Sequence, residues 1–394
     1  MTRLLIVVID APFFVTHRMA LAVAAKAAGY DVHVAAPIDP TSPRGDRAAQ
    51  QKITDAGLVF HTIPLRRGSL NPFKEFGVIL AVRRLLQRLD PAVMHCVGTK
   101  PVVYGGLLTR LFGGPTPVYA VTGLGTVFMG RGKRHRLRQG LMRAGFLNAF
   151  RTPGCQIIFQ NPVDEEVFFD SGVLKDGQFH MIGGVGANLE RFHPRLHDTS
   201  PTRPLTIMLA ARLIEAKGIR YFVEAARRLK AKHERLRFVL VGHNDPESPT
   251  DIGHAEIEGW QQDGLVEWWG HVDDMPATFA QADIFCLPSH YREGVPKVLL
   301  EAAAMGLPIV TTDMPGCRDV VIDGESGLLV PPRDESALTQ ALERLIADAP
   351  FRANAASAAR ALAENRFSES DFVAKSLEIY GKAATFHTHK ATRS

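Results

Sequence analysis

Twice along its length this chain alternates short apolar runs with longer segments of helical period. In the first half "RLLIVVI" leads to "FFVTHRMALAVAAKAAGY" and "DVHVAAP". The pattern continues through "VILAVRRLLQRLDPAVMHC", "KPVVYGGLLTRLFGG", "TPVYAVTG", "CQIIFQN" and "GQFHMIGG". Unbroken apolar runs suit strands covered on both faces, and strands separated by helices pair in parallel. Gly29 stands where the first helix should be capped. Polar and proline-rich residues, "HPRLHDTSPTRP", interrupt the series as a linker would. A second series then runs "LTIMLAAR", "KGIRYFVEAARRLKAKH", "LRFVLVGH", "LVEWWGHV", "ADIFCLPS" and "GLLVPPRDESALTQALERLIADA", ending near "SESDFVAKSLEIYGKA". The predicted class is α/β, with two doubly wound parallel sheets. At 394 residues the chain suits two domains. The expected divisions are 1–192, a linker 193–204, a second domain 205–368, a helix 369–384 and a disordered tail 385–394. Two such halves facing each other imply a ligand cleft at the carboxyl ends of their strands.

Composition excludes several classes. With 46% hydrophobic and 22% charged residues the chain reads as soluble and globular. The apolar run Leu4 to Ile9 stops at Asp10, too short for a secretion leader, so a buried first strand is expected. No stretch approaches the roughly 18 apolar residues of a bilayer span. Cys96, Cys155, Cys286 and Cys317 are scattered without metal-type spacing, which fits reduced thiols in a cytosol. Charge is uneven: residues 1–194 hold 23 Lys and Arg against 13 Asp and Glu, and the remainder 23 against 28. Pro91 to Val163 contains no acidic residue. Within it "GRGKRHRLRQGLMRAGFLNAFR", residues 130–151, interleaves basic residues with Leu, Met and Phe. That segment reads either as a surface for anionic lipid or as a solvated basic helix face. No nucleic-acid module is visible, and no nucleic-acid partner is expected.

The densest chemistry lies in "REGVPKVLLEAAAMGLPIVTTD", residues 292–313. "ADIFCLPS" is apolar enough for a buried strand, and "HYREG" is the turn at its carboxyl end. Pro296 suits the first turn of the following helix, where its missing N–H costs nothing. Gly306 and Pro308 then stop that helix. Glu293 falls in the loop and Glu301 more than a turn inside the helix. The amides of Gly294, Val295, Lys297 and Val298 at the helix start, with the lysine, make an anion site. A phosphate there leaves the two carboxylates to accept sugar and ribose hydroxyls on either side. The alternative is a loop carboxylate and a solvated helix residue.

The two glutamates of "EGVPKVLLE", separated by seven residues, resemble the signature of retaining GT-B glycosyltransferases. The following "AAAMGLPIVTTDMPGCRDVVIDGESGLLVPPRD" is similar to family-four transferases of bacterial polysaccharide and lipopolysaccharide assembly. "AARLIEAKG" resembles that family's G-R-x₄-K-G element, with Ala211 replacing the glycine. "FFVTHRMALA", "TKPVVYG", "AVTGLGTVF" and "IFQNPVDEEVF" resemble the subgroup that builds on polyprenyl-diphosphate-linked sugars. The resemblance implies the GT-B fold, two facing Rossmann-like domains with a cleft between them, and a last helix crossing back onto the first. It implies that Arg212 and Lys217 neutralise the donor diphosphate, Glu293 holds the transferred sugar and Glu301 the ribose. Tyr291 and Arg292 flank that grip and would help select the sugar. From the residues alone, Lys217 could begin a helix and Arg212 could pair with Glu215. The resemblance further implies a nucleotide-diphosphate sugar as donor, a UDP-sugar being expected, and as acceptor a lipid-diphosphate-linked sugar at the inner face of the cytoplasmic membrane. No cofactor and no metal are expected.

The departures concern the acceptor side. Many relatives carry a histidine where this chain has Val97, while "HCVGTKP" supplies His95, Thr99 and Lys100. His95 reads either as a packing residue at a strand end or as a catalytic group. The first loop, "DAPFFVTHR", lacks the usual glycine pair, so His17 or Arg18 is the candidate to reach the diphosphate. Gly123 and Gly125 in "VTGLG" either approach the ligand or form a tight turn. "GGVGAN", residues 183–188, is a partial glycine motif in the passage between domains, and Asp273 and Asp274 have the wrong spacing for a metal. A sugar-nucleotide 2-epimerase on the same fold and a non-catalytic sugar-binding protein at the membrane surface are the rival readings.

Overall fold

The computed structural model describes residues 1–39, 45–66, 69, 71–124, 132–169, 171–194, 203–245, 248 and 250–392; the side chains of 133–135 and 391 are outside it. The chain forms two compact units, Met1–Val185 with Ser370–Ser394, and Gly186–Glu369. The expected domain edge at 192 thus lies inside the second unit, and most of the expected linker is outside the described residues.

The first unit runs β1 (Thr2–Val7), α1 (Ala11–His17), α2 (Met19–Ala27), β2 (Tyr30–Ala36), α3 (Asp46–Asp55), β3 (Val59–Thr62), α4 (Pro72–Leu89) and β4 (Val93–Val97). It continues with α5 (Thr99–Phe112), β5 (Thr116–Val121), α6 (Lys133–Phe150), β6 (Gln156–Phe159), α7 (Pro162–Phe169) and β7 (Phe179–Met181). Its sheet has the order β3-β2-β1-β4-β5-β6-β7, every pair parallel. Strand order reverses between β1 and β4, the switch point at which open α/β sheets receive ligands. The one helix expected over "FFVTHRMALAVAAKAAGY" is two. Arg18 stands between them at φ −133°, outside the helical range.

The second unit runs β8 (Leu205–Ala210), a 3₁₀ turn at Glu215–Lys217, α8 (Ile219–Lys230), β9 (Leu236–Val241), α9 (His254–Gln262), β10 (Glu267–Trp268) and α10 (Met275–Phe279). Then come β11 (Ile284–Leu287), α11 (Lys297–Ala304), β12 (Ile309–Thr312), β13 (Gly327–Val330), α12 (Glu335–Ala347) and α13 (Ala349–Arg366). The sheet order is β10-β9-β8-β11-β12-β13, all parallel. Its switch point lies between β8 and β11. Both sheets are buried on two faces, with separate apolar clusters on each side. Helix α13 is missing from the apolar pattern because alanine fills it. Propensity and the Asp348 cap, which accepts from Phe351 N–H at 2.9 Å, carry it instead.

The last helix, α14 (Glu369–Ala391), returns to the first unit. Phe372, Ile379, Tyr380 and Ala383 enter its core. The tail expected to be disordered from 385 is helical to Ala391. The Phe386 ring lies against Gly154, where an added Cβ would fall 2.2 Å from it, and this docking holds the final turns. At "GGVGAN" the backbone of Ala187 pairs with the strand-like segment before α14. Ala187 N–H donates to Phe367 O at 2.8 Å, and Glu369 N–H to Ala187 O at 3.0 Å. The glycines there serve close backbone approach: a Cβ on Gly186 would lie 2.5 Å from Ser368 O.

Candidate active site

In the second unit the glutamate loop leaves β11 and the Arg212–Lys217 segment leaves β8, adjacent strands at the switch point. Two backbone devices bring them together. Gly218 has φ +77°, and a Cβ there would sit 2.1 Å from Pro288 O, so the turn ending at Lys217 presses against the end of β11. His290 N–H donates to Ala216 O at 3.0 Å, tying the same two segments.

Lys217 Nζ lies 2.6 Å from Glu293 Oε2, with only 14% and 12% of the two side chains exposed. The other oxygen, Oε1, accepts from Ser289 Oγ at 2.7 Å. Ser289 is itself fully buried, and its carbonyl accepts from the Thr312 hydroxyl. Glu293 is thus held at both oxygens, by a cation and by a hydroxyl. Ser289 and Thr312 escaped the sequence reading, although Ser289 ends the apolar run that leads into the loop. Arg212 pairs not with Glu215 but with Asp245, Nη1 to Oδ2 at 2.7 Å. Asp245 is buried, and its N–H donates to Asp251 Oδ1 at 2.5 Å. Glu215 lies beside Arg220 instead, at 4.0 Å.

Helix α11 begins at Lys297, and Pro296, at ψ 118°, is its extended N-cap. The amides of Gly294 and Val295 therefore belong to the preceding loop rather than to the helix. Those of Lys297 and Val298 open the first turn, outside the helix's own ladder. Gly316 packs on this loop so closely that a Cβ would meet Gly294 O. Tyr291 and Arg292 lie half-buried in the same loop. Glu301 is on α11, its Oε1 3.5 Å from Lys297 Nζ. Burial raises its pKa, while Lys297 and, more weakly, Arg191 oppose the shift. Cations, carboxylates and helix-start amides collect at one strand-end locus, an arrangement suited to a diphosphate flanked by hydroxyls.

The first-unit candidates are placed differently. Arg18 is 2% exposed, and its guanidinium lies over the rings of Phe13 and Phe372, at 5.9 and 5.4 Å. Burial pulls its pKa down to about 10. His95 is also buried, its Nδ1 2.5 Å from the Tyr380 hydroxyl. Burial, helped by Arg18, holds its pKa well below the ordinary histidine value. Both side chains are covered by α14, so His95 is a packing residue and Arg18 is enclosed. Lys100 donates to Arg66 O, Ser69 O and Glu75 Oε1 at 2.7–2.9 Å, fixing the start of α4. His17 stacks on Phe13 at 4.4 Å and stays partly exposed. Thr99 opens α5 behind Gly98, and Gly123 has φ +103° in the turn after β5. Gly125 is outside the described residues. Of the aspartate pair, Asp274 caps α10, accepting from Ala277 N–H at 3.2 Å, and Asp273 projects into solvent beside His271.

Two doubly wound sheets, with this loop at the switch point of the second, define a GT-B glycosyltransferase fold. A family described as "Glycosyl transferases group 1" matches residues 204–348, and "Glycosyl transferase 4-like" matches 5–152. Glycosyl transferase families thus match both halves, and the chain is a glycosyltransferase. It is similar to the N,N'-diacetylbacillosaminyl-diphospho-undecaprenol alpha-1,3-N-acetylgalactosaminyltransferase of Campylobacter jejuni. The two are 28% identical over 84% of this chain and 88% of that one. Sucrose-phosphate synthase from Thermosynechococcus elongatus has a TM-score of 0.78 at 21% identity, over 97% of this chain and 99% of that one. Anabaena HepE, solved with UDP and glucose, has a TM-score of 0.74 at 16% identity, over 97% and 100%. Among the described residues no helix is long and apolar enough to cross a membrane.

Proposed function

We propose that the chain is a retaining glycosyltransferase that moves a hexose or N-acetylhexosamine from a UDP-sugar to a lipid-diphosphate-linked sugar. Its place is bacterial surface-polysaccharide assembly, at the inner face of the cytoplasmic membrane. The observation that carries this reading is the Lys217–Glu293–Ser289 cluster beside the Arg212–Asp245 pair, at the ends of adjacent strands. The polyprenyl-linked substrate in the name of the Campylobacter relative supports the acceptor, and the UDP held by HepE supports the donor.

In this mechanism the leaving group is a nucleoside diphosphate, and catalysis consists mainly of stabilising the charge it gains. Lys217 and Arg212 supply the cations, and the amides before and within the first turn of α11 supply neutral donors. Glu293, aligned by Ser289, accepts hydroxyls of the transferred sugar, and Glu301 those of the ribose. The acceptor hydroxyl attacks from the face the nucleotide leaves, which preserves the anomeric configuration. Segment 130–151, largely α6, meets the anionic headgroups. The test is a panel of nucleotide sugars with lipid-diphosphate-sugar acceptors, reading released nucleotide and product anomer. Acceptor-dependent release of UDP with a retained linkage is expected. Release without acceptor, or an inverted product, contradicts the reading.

A further inference from the structure

Four large apolar side chains stand in solvent at one end of the first unit's helical layer. Phe73 is 87% exposed and Phe76 66%, both at the start of α4; Leu137 is 65% exposed and Leu141 67%, both on α6. Single exposed apolar residues are ordinary, but four in one region need a reason.

Helix packing puts them at one level. A Cβ on Gly106 would fall on Ala149, and one on Gly145 would lie 3.0 Å from Val103, so α5 and α6 run side by side in the same direction. With Val103 level with Gly145, α6 starts about two turns before α5. Arg136, Leu137 and Arg138 lie on that overhang, where α5 gives them no cover. The start of α4 is fixed at the start of α5, because Glu75 accepts from Lys100 Nζ at 2.9 Å and from the Tyr104 hydroxyl. All four apolar side chains therefore sit at the end of the layer nearest the carboxyl ends of the strands.

Exposed Lys74 stands on α4 between Phe73 and Phe76, and exposed Arg136, Arg138 and Arg143 lie within two residues of Leu137 or Leu141 on α6. Glu75, the acidic residue of this region, is turned onto α5, and α6 has none. Aromatic and aliphatic side chains interspersed with cations match an anionic lipid interface, where rings enter the acyl boundary and cations meet headgroups. We propose that the first turns of α4 form a second membrane anchor, with Phe73 and Phe76 inserting into an anionic bilayer beside α6. This rests on the membrane reading of 130–151 and assigns the inserting side chains to a different element.

The experiment is sedimentation of the full chain with vesicles of phosphatidylcholine alone or mixed with phosphatidylglycerol. The wild type is expected to bind only the mixed vesicles. Phe73→Ser with Phe76→Ser should weaken that binding about tenfold or more, with its salt dependence kept. Arg136→Glu with Arg138→Glu should weaken it and flatten the salt dependence. Wild-type binding by the phenylalanine variant, with loss in the arginine variant, overturns the α4 anchor and leaves the α6 reading standing. No binding by the wild type overturns both. Vesicle binding kept by the phenylalanine variant while a solution dimer becomes monomeric overturns the proposal in favour of a second copy. A label on Lys74→Cys is selective, since all four native cysteines are buried. An environment-sensitive fluorophore there should shift to the blue on mixed vesicles, and an unchanged spectrum contradicts insertion.

Discussion

Lys217 and Glu293 are each other's partner at 2.6 Å, so a diphosphate arriving at this locus competes with a carboxylate for the same ammonium. Replacing either residue by alanine should lower turnover at least about 100-fold, the scale of losing one oxyanion donor. Near-normal turnover at saturating donor would count against their roles. Ser289 acts at one remove. Ser289→Ala takes a hydrogen bond from a buried carboxylate, so turnover should fall about tenfold, as for a loss of roughly 1.4 kcal/mol, while Ser289→Thr restores part of it. Equal rates for the alanine variant and the wild type would reduce Ser289 to packing. Glu301 carries a pH signature. Its folded pKa is raised by burial, so ionising it costs stability as pH rises from the unfolded value of roughly 4.3 through the raised one. Glu301→Gln should therefore melt above the wild type at neutral pH. The difference should vanish in acid, and the variant should bind donor more weakly. A difference in melting that persists unchanged in acid would contradict the assignment.

At the scale of elements, α14 is the piece whose consequences were least visible beforehand. Tyr380 is fully buried and reaches His95 across 285 residues of sequence. No local pattern near either residue announces that pairing, which is why His95 could be read as catalytic. Tyr380→Ala should destabilise the first unit by about 3 kcal/mol or more, as other large aromatic truncations do. Denaturant unfolding followed on that unit checks this, and a loss below about 1 kcal/mol would show that α14 docks without it. His95 adds a pH dependence of known sign. Its folded pKa is lowered by burial, so stability is full above the unfolded value of roughly 6.5 and is lost as pH falls below it. His61, His180 and His290 shift the same way. The informative quantity is thus the difference between wild type and His95→Gln, whose melting temperature should fall less steeply from pH 7 to pH 5. Parallel curves would mean that His95 is protonated equally in both states.

Across the whole molecule, what could be read in advance was what is local or periodic. The apolar runs of β1, β4, β8 and β11 are continuous because both sheet faces are covered, and that continuity specified two parallel sheets. The glutamate loop was legible because its strand, turn and helix are contiguous in sequence. Long-range pairings were not. Asp245 reaches Arg212 from beyond β9, and nothing in "AARLIEAKG" distinguishes it from Glu215 as the partner. Lys100, read as an acceptor-side residue, is taken up by Glu75 and two carbonyls on a segment 25 to 34 residues away. The charge of α6 left a lipid surface and a solvated face both open, while Phe73 and Phe76 belong to α4, whose start is placed level with the start of α5 only by the Glu75 contacts to Lys100 and Tyr104. On the proposed function, the strand-end cluster of the second unit receives a sugar-nucleotide diphosphate. A crystal structure of the chain with UDP tests this most directly. Phosphate oxygens within hydrogen-bond distance of Lys217 and Arg212 are expected, with ribose hydroxyls on Glu301. UDP bound elsewhere, with Lys217 and Arg212 still turned only to Glu293 and Asp245, would contradict it.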